Sequence, residues 1–169
     1  DMKRLKAELV SDVLTPSESS KRGVDRIRLT WSLPAPIKAI LVGLMPALSI
    51  KAGTRLIEEL PLEIVDQIYT TDGRTEEEKL DSILSLRPDL IFFTGGVEDG
   101  AFDVVKSSAD LLARSFSALP PELRPEVVYA GNSRAAEYVK NKIEPLTLIF
   151  TAANIQPTLS ELDIQPAVD

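Results

Sequence analysis

Pro88-Asp89-Leu90-Ile91-Phe92-Phe93-Thr94-Gly95-Gly96-Val97-Glu98-Asp99-Gly100-Ala101-Phe102 is the stretch whose reading decides the fold. Leu90 to Phe93 is a short, unbroken apolar run rich in β-formers, the pattern of a strand covered on both faces in a parallel sheet. Two glycines, two carboxylates and a third glycine follow, and then a helical apolar pattern starts at Phe102. The segment therefore reads as strand, loop and helix. In open parallel sheets ligands and partners meet the loops at the carboxyl ends of the strands, which makes Gly95 to Gly100 the first place to look for function.

Working outward, the same rhythm recurs from Ile37 onward. Ile37 to Leu44, Glu63 to Tyr69, Val127 to Ala130 and Leu146 to Phe150 read as further strands. Ser49 to Leu60 reads as a helix with Leu56, Ile57 and Leu60 inward. Thr75-Glu76-Glu77-Glu78 has capping-box spacing and opens a helix that Pro88 stops. Phe102, Val105, Ala109, Leu112 and Phe116 keep a three-to-four-residue period up to Pro120-Pro121, and Ser133 to Ile143 does so on Ala136, Val139 and Ile143. A last turn or short helix falls at Thr158 to Leu162. Five strands joined by four helical crossovers imply a doubly wound α/β fold with a mainly parallel sheet. The flavodoxin-like order 2-1-3-4-5 is preferred, with a Rossmann-like order as the alternative.

Upstream, Met2, Leu5, Leu9 and Val13 recur at helical spacing, residues 15–23 are linker-like, and Ile27, Leu29, Trp31 and Leu33 alternate with polar residues as in an edge strand. The expected organisation is thus an appendage over residues 1–36 and an α/β domain over 37–169. Trp31 reads as a core or interface anchor.

Composition narrows the function. The chain of 169 residues carries a formal charge of -7, which disfavours nucleic acid and anionic membrane as partners. It contains neither cysteine nor histidine, which removes thiolate and imidazole metal sites, disulfides, and Ser-His-Asp or Cys-His catalysis. No apolar run approaches the roughly 20 residues of a membrane span, so a cytoplasmic location is expected. A chain starting at Asp1 reads as part of a longer protein.

The loops after strands one, three and four are Gly43-Leu44-Met45-Pro46, Gly95 to Gly100, and Gly131-Asn132-Ser133. Neither GxGxxG nor GxxxxGK[ST] is present, so the dinucleotide and P-loop readings fail. Glu98 and Asp99 oppose an anion beside the helix amino terminus; a hydroxylated ligand, Mg²⁺ or a partner's basic side chain suits them better. The plainer reading is that Gly95, Gly96 and Gly100 shape the turn, Asp99 or Asp103 complements the helix dipole, and Glu98 is solvated. Asn132, after Gly131, either orients a ligand through its amide or adopts a left-handed turn conformation. Asp72-Gly73-Arg74 reads as a turn. No catalytic residue and no metal site is assigned.

Four pieces resemble the MutL-type accessory proteins encoded beside glutamate mutase, which are distinct from the mismatch-repair protein of that name. They are VGLMPALS (Val42 to Ser49), RPDLIFFTGGVEDGA (Arg87 to Ala101), VVYAGNSRAAEYVK (Val127 to Lys140) and NIQPTLSELDIQPA (Asn154 to Ala167). The resemblance covers Ile40 to Ala167 and implies kinship with the actin/sugar-kinase/heat-shock ATPase superfamily. It also implies a role in protecting or reactivating a cobalamin-dependent mutase. That superfamily's nucleotide-binding hairpin has no counterpart here, and Trp31 to Ile37 stands where the family has a small-residue run. The cofactor implied is therefore Mg-ATP in a full-length parent and none in this fragment. Gly95, Gly96, Asp99, Gly100, Gly131 and Asn132 carry over as loop positions. The expected function is a non-catalytic α/β domain working through the rest of its own chain, a partner mutase or self-association. The alternative is a small-molecule or cation site built on Glu98, Asp99 and Asn132.

Overall fold

Each apolar run set between helical stretches forms a strand. β1 (Ile37–Val42), β2 (Leu62–Ile68), β3 (Leu90–Phe93), β4 (Glu126–Tyr129) and β5 (Ile149–Thr151) make one sheet in which every pair is parallel. The order is β2-β1-β3-β4-β5, the flavodoxin-like arrangement that the sequence favours. The computed structural model describes residues 35–162 apart from Glu59, Pro61, Asp99 and Ala101. The expected amino-terminal helix, linker and edge strand with Trp31, and residues 163–169, lie outside the described residues.

The crossovers are α1 (Lys51–Glu58), α2 (Glu76–Leu86), α3 (Phe102–Ala118) and α4 (Ser133–Ile143). At the start of α2, Glu78 N donates to Thr75 Oγ1 at 3.2 Å and Thr75 N donates to Glu78 Oε2 at 2.7 Å, completing the capping box. That helix ends in a left-handed Arg87 (φ 48°) directly before Pro88. The turn expected at Asp72-Gly73-Arg74 is present and does more than reverse the chain. Arg74 pairs with Asp66 of β2 at 2.7 Å and with Asp72 at 2.9 Å, and Lys79 of α2 reaches Asp72 at 3.1 Å.

Boundaries depart from the sequence reading: β1 ends at Val42 instead of Leu44, and α1 at Glu58 instead of Leu60. Pro46 to Ile50 forms a π turn ahead of α1, because Ser49 Oγ accepts the Leu44 and Met45 amides, each at 3.0 Å, and draws the chain back on itself. β5 starts at Ile149 instead of Leu146, since the Leu146 and Thr147 amides are spent on Ile143 O, closing α4. Residues 158–162 take the turn, not the helix, of the two forms expected there; they bend around Gln156 Nε2, which donates to Thr158 O at 2.6 Å and Glu161 O at 2.7 Å.

Helix cover is unequal on the two faces. Ile40, Val42, Ile91, Phe93, Val127 and Tyr129 pack against α2, α3 and α4 through Ile83, Val105, Ala109, Leu112, Phe116, Ala135, Val139 and Ile143. The opposite face, with Ala39, Leu41 and Phe92, is covered by Ile50, Ala52 and Ile57 and by Ile155 of the segment after β5. Among the described residues, helix cover thus stops short of β5 on that side.

Candidate functional site

The carboxyl ends of β1, β3 and β4 converge, as the sheet order requires, and bring the three glycine-bearing loops together. The Gly95 and Gly131 backbones touch: Asn132 N donates to Gly95 O at 3.1 Å, and a Cβ placed on Gly131 would lie 2.5 Å from that same oxygen. Such an approach admits only hydrogen at Gly131. Gly95 (φ 131°) and Gly96 (φ 79°) take backbone conformations closed to most side chains, which turns the chain between them across Asn132.

Asn132 holds these loops. It is 1% exposed, and its amide nitrogen donates to Val97 O (2.7 Å), Gly100 O (2.9 Å) and Glu98 O (3.1 Å). Its Oδ1 accepts the Arg134 amide at 2.9 Å and so caps α4. The left-handed turn expected at this residue is not adopted; φ is -46°, as suits a residue leading straight into a helix. Beneath it, the buried Tyr129 hydroxyl donates to Asn132 O at 2.7 Å. Burial, and then the nearby Glu98 charge, push the Tyr129 phenol well above its usual range.

Glu98 is not the solvated side chain anticipated from the sequence. Its carboxylate accepts from the Ser133 hydroxyl, from the Ser133 amide at 3.2 Å and from Asn154 Nδ2 at 2.7 Å. Burial raises its pKa, but the hydrogen bonds from Ser133 and Asn154 outweigh that effect and hold the carboxyl below its ordinary value. Asn154 also donates to Gly96 O at 2.9 Å, and the Glu98 amide donates to Pro157 O at 3.0 Å, so the segment after β5 closes the group. Gly100, whose amide returns to Val97 O at 2.9 Å, ends the loop. Asp99 lies outside the described residues.

The chain's own carboxylate therefore occupies the amino terminus of α4, where an anionic ligand would otherwise be received. A bare phosphate there would meet the Glu98 carboxylate. Among the described residues no three Asp or Glu side chains converge as a metal site requires. Gly95, Gly96, Glu98, Gly100, Gly131 and Asn132 are assembled in one place, with the Glu98 and Asn132 side chains bonded within the chain, while the hydroxyl of Thr94, directly before Gly95, is buried without a partner among the described residues. Ser133, Asn154, Gln156 and Tyr129 complete the group without having been singled out. All four lie in sequence pieces that resemble the family, Tyr129 and Ser133 in VVYAGNSRAAEYVK and Asn154 and Gln156 in NIQPTLSELDIQPA.

This end of the sheet also carries an apolar recess. Leu44, Met45, Leu48, Gly95, Val97 and Leu159 line a recess of about 90 Å³. Met45 is 51% exposed and Leu159 70% exposed at its lip, the latter on the loop held by Gln156. Among the described residues no helix is long and apolar enough to cross a membrane.

The profile of the family described as MutL protein matches residues 3–169, reaching well upstream of the Ile40 at which the sequence resemblance begins. No curated protein and no solved structure is significantly similar to the chain.

Proposed function

This chain belongs to the MutL family, and from that premise we propose that its α/β unit is a non-catalytic domain acting through protein contacts, in support of the protection or reactivation of a cobalamin-dependent mutase. One observation carries the reading: the Glu98 and Asn132 side chains at the loop end of the sheet are spent in bracing the loops, while Met45 and Leu159 stand out around an apolar recess. A pre-braced apolar surface suits docking, because little ordering entropy remains to be lost on contact. Turnover would instead need a free acid, base or ligand-facing donor, and Glu98 and Asn132 are already bonded within the chain.

The test has two arms. The chain is titrated against a cobalamin-dependent mutase by interferometry, with Met45→Asp and Leu159→Asp as variants; saturable binding weakened at least about tenfold by each is expected for anchors at the centre of a small interface. In the second arm Mg-ATP leaves the melting temperature unchanged, since only a ligand that binds the folded state raises it. Unaltered mutase binding by both variants, or a clear rise in melting temperature with Mg-ATP, would overturn the proposal.

A further inference from the structure

Among the described residues β5 is an edge strand of the sheet. In a parallel ladder alternate residues turn their backbone groups toward the neighbouring strand. Val127 N donates to Leu148 O at 3.0 Å and Ala152 N to Tyr129 O at 2.9 Å, so Leu148, Phe150 and Ala152 face β4. The N-H and C=O groups of Ile149 and Thr151 consequently point outward from the edge. The side chains alternate as well: Ile149 packs on the three-helix core, which puts Leu148 and Phe150 on the sparsely covered face, 62% and 55% exposed.

Natural edge strands are guarded by lysine, proline or inward charge. Thr147-Leu148-Ile149-Phe150-Thr151-Ala152-Ala153 has none of these, in a chain whose formal charge is -7. Two copies of so acidic a chain repel unless they meet along a neutral strip. We propose that β5 pairs antiparallel with β5 of a second copy about a two-fold axis at Phe150. That axis sets Ile149 opposite Thr151 of the other copy, so the outward groups of both residues satisfy one another. It makes Phe150 with its symmetry mate a non-hydrogen-bonded pair, the closer kind, and places Leu148 beside the other copy's Ala152. The two sheets become one of ten strands. The strip is smaller than the roughly 800 Å² per partner of a standard interface, so the dimer is a weak one. It uses neither Met45 nor Leu159 and stands apart from the mutase-docking surface.

Sedimentation equilibrium of the whole chain, from about 10 μM to about 1 mM to suit a weak interface, tests this. The mass should climb from 18.5 kDa toward twice that value. Thr151→Pro removes only an outward N-H, a change that edge strands tolerate, and Phe150→Lys sets like charges across the axis. Both should keep the wild-type circular dichroism and remain at the monomer mass. Because the chain has no cysteine, Phe150→Cys should cross-link on mild oxidation, whereas Ser107→Cys, on exposed helix surface, should not. A wild-type mass that stays at 18.5 kDa, which would assign the edge to some other strand, overturns the proposal. So does association that both folded variants leave intact, or cross-linking no faster at position 150 than at 107.

Discussion

Replacing Asn132 by alanine removes the brace between the loops, and its cost follows from the contacts. The side chain supplies a helix cap, worth about 1 kcal/mol. Its two N-H groups are shared among three carbonyls at 2.7, 2.9 and 3.1 Å, worth together about 2 kcal/mol net. Water can reach part of the vacated space, so no further charge for orphaned carbonyls is added. The expected loss is about 3 kcal/mol, or about 1–2 M in the urea midpoint for a domain of this size. Asn132→Asp sharpens the test. It keeps the acceptor that caps α4 but turns a second carboxylate oxygen toward three carbonyl oxygens, so at pH 7 it should be less stable than Asn132→Ala. Confinement among acceptors raises the pKa of the introduced carboxyl, so its penalty should shrink as the pH falls toward 5 and the protonated group can donate. Urea titrations followed by circular dichroism at pH 7 and 5 measure both differences. A loss below about 1 kcal/mol for the alanine variant, the size of the cap alone, would refute the bracing role; so would an aspartate variant no worse than alanine at pH 7.

Two further outcomes follow from the same site. The folded-state pKa of Glu98 is lowered, so its contribution is complete above the unfolded value of about 4.3 and is lost as the pH falls through the folded value. The melting-temperature gap between wild type and Glu98→Gln should therefore narrow on acidification from pH 6 to pH 3, and a gap that widens would reverse the assignment. Gly131→Ala drives a methyl against the Gly95 carbonyl oxygen, 2.5 Å from the ideal Cβ, and should cost about 2–3 kcal/mol by overpacking. Gly73→Ala, at positive φ (80°) but with nothing within 4 Å, should lose only about 1 kcal/mol; calorimetry showing the opposite order would contradict the packing described.

Much of the fold was legible because its signals are local. The Leu90 to Phe93 run, the Thr75 capping box and the Ser133 to Ile143 period each depend on neighbours within one turn or one strand, and each lies where it was read. Strand order was reached as a preference, since parallel crossovers constrain handedness and leave order open. At the site, the glycine loops were found and brought together, but the roles of their polar residues were not. Glu98 looked solvated because its partners Ser133 and Asn154 are 35 and 56 residues away. Asn132 suggested a local turn because its three carbonyl acceptors belong to another loop. The ends of β5 and α1 moved for a related reason: Ile143 O and Ser49 Oγ capture amides that the apolar pattern assigns to a strand or a loop.

Sheets of this strand order hold ligands where the chain direction reverses beside the first strand. Here the neighbouring corner, at the amino terminus of α4, is plugged by a glutamate from within, so the protein is its own competitive inhibitor for any anion arriving there. Emptying the corner would take one shortened side chain, after which Ser133 and Asn154 would be left as idle donors. A pocket for phosphate or carboxylate could then be engineered, or evolve, without rebuilding the backbone around it.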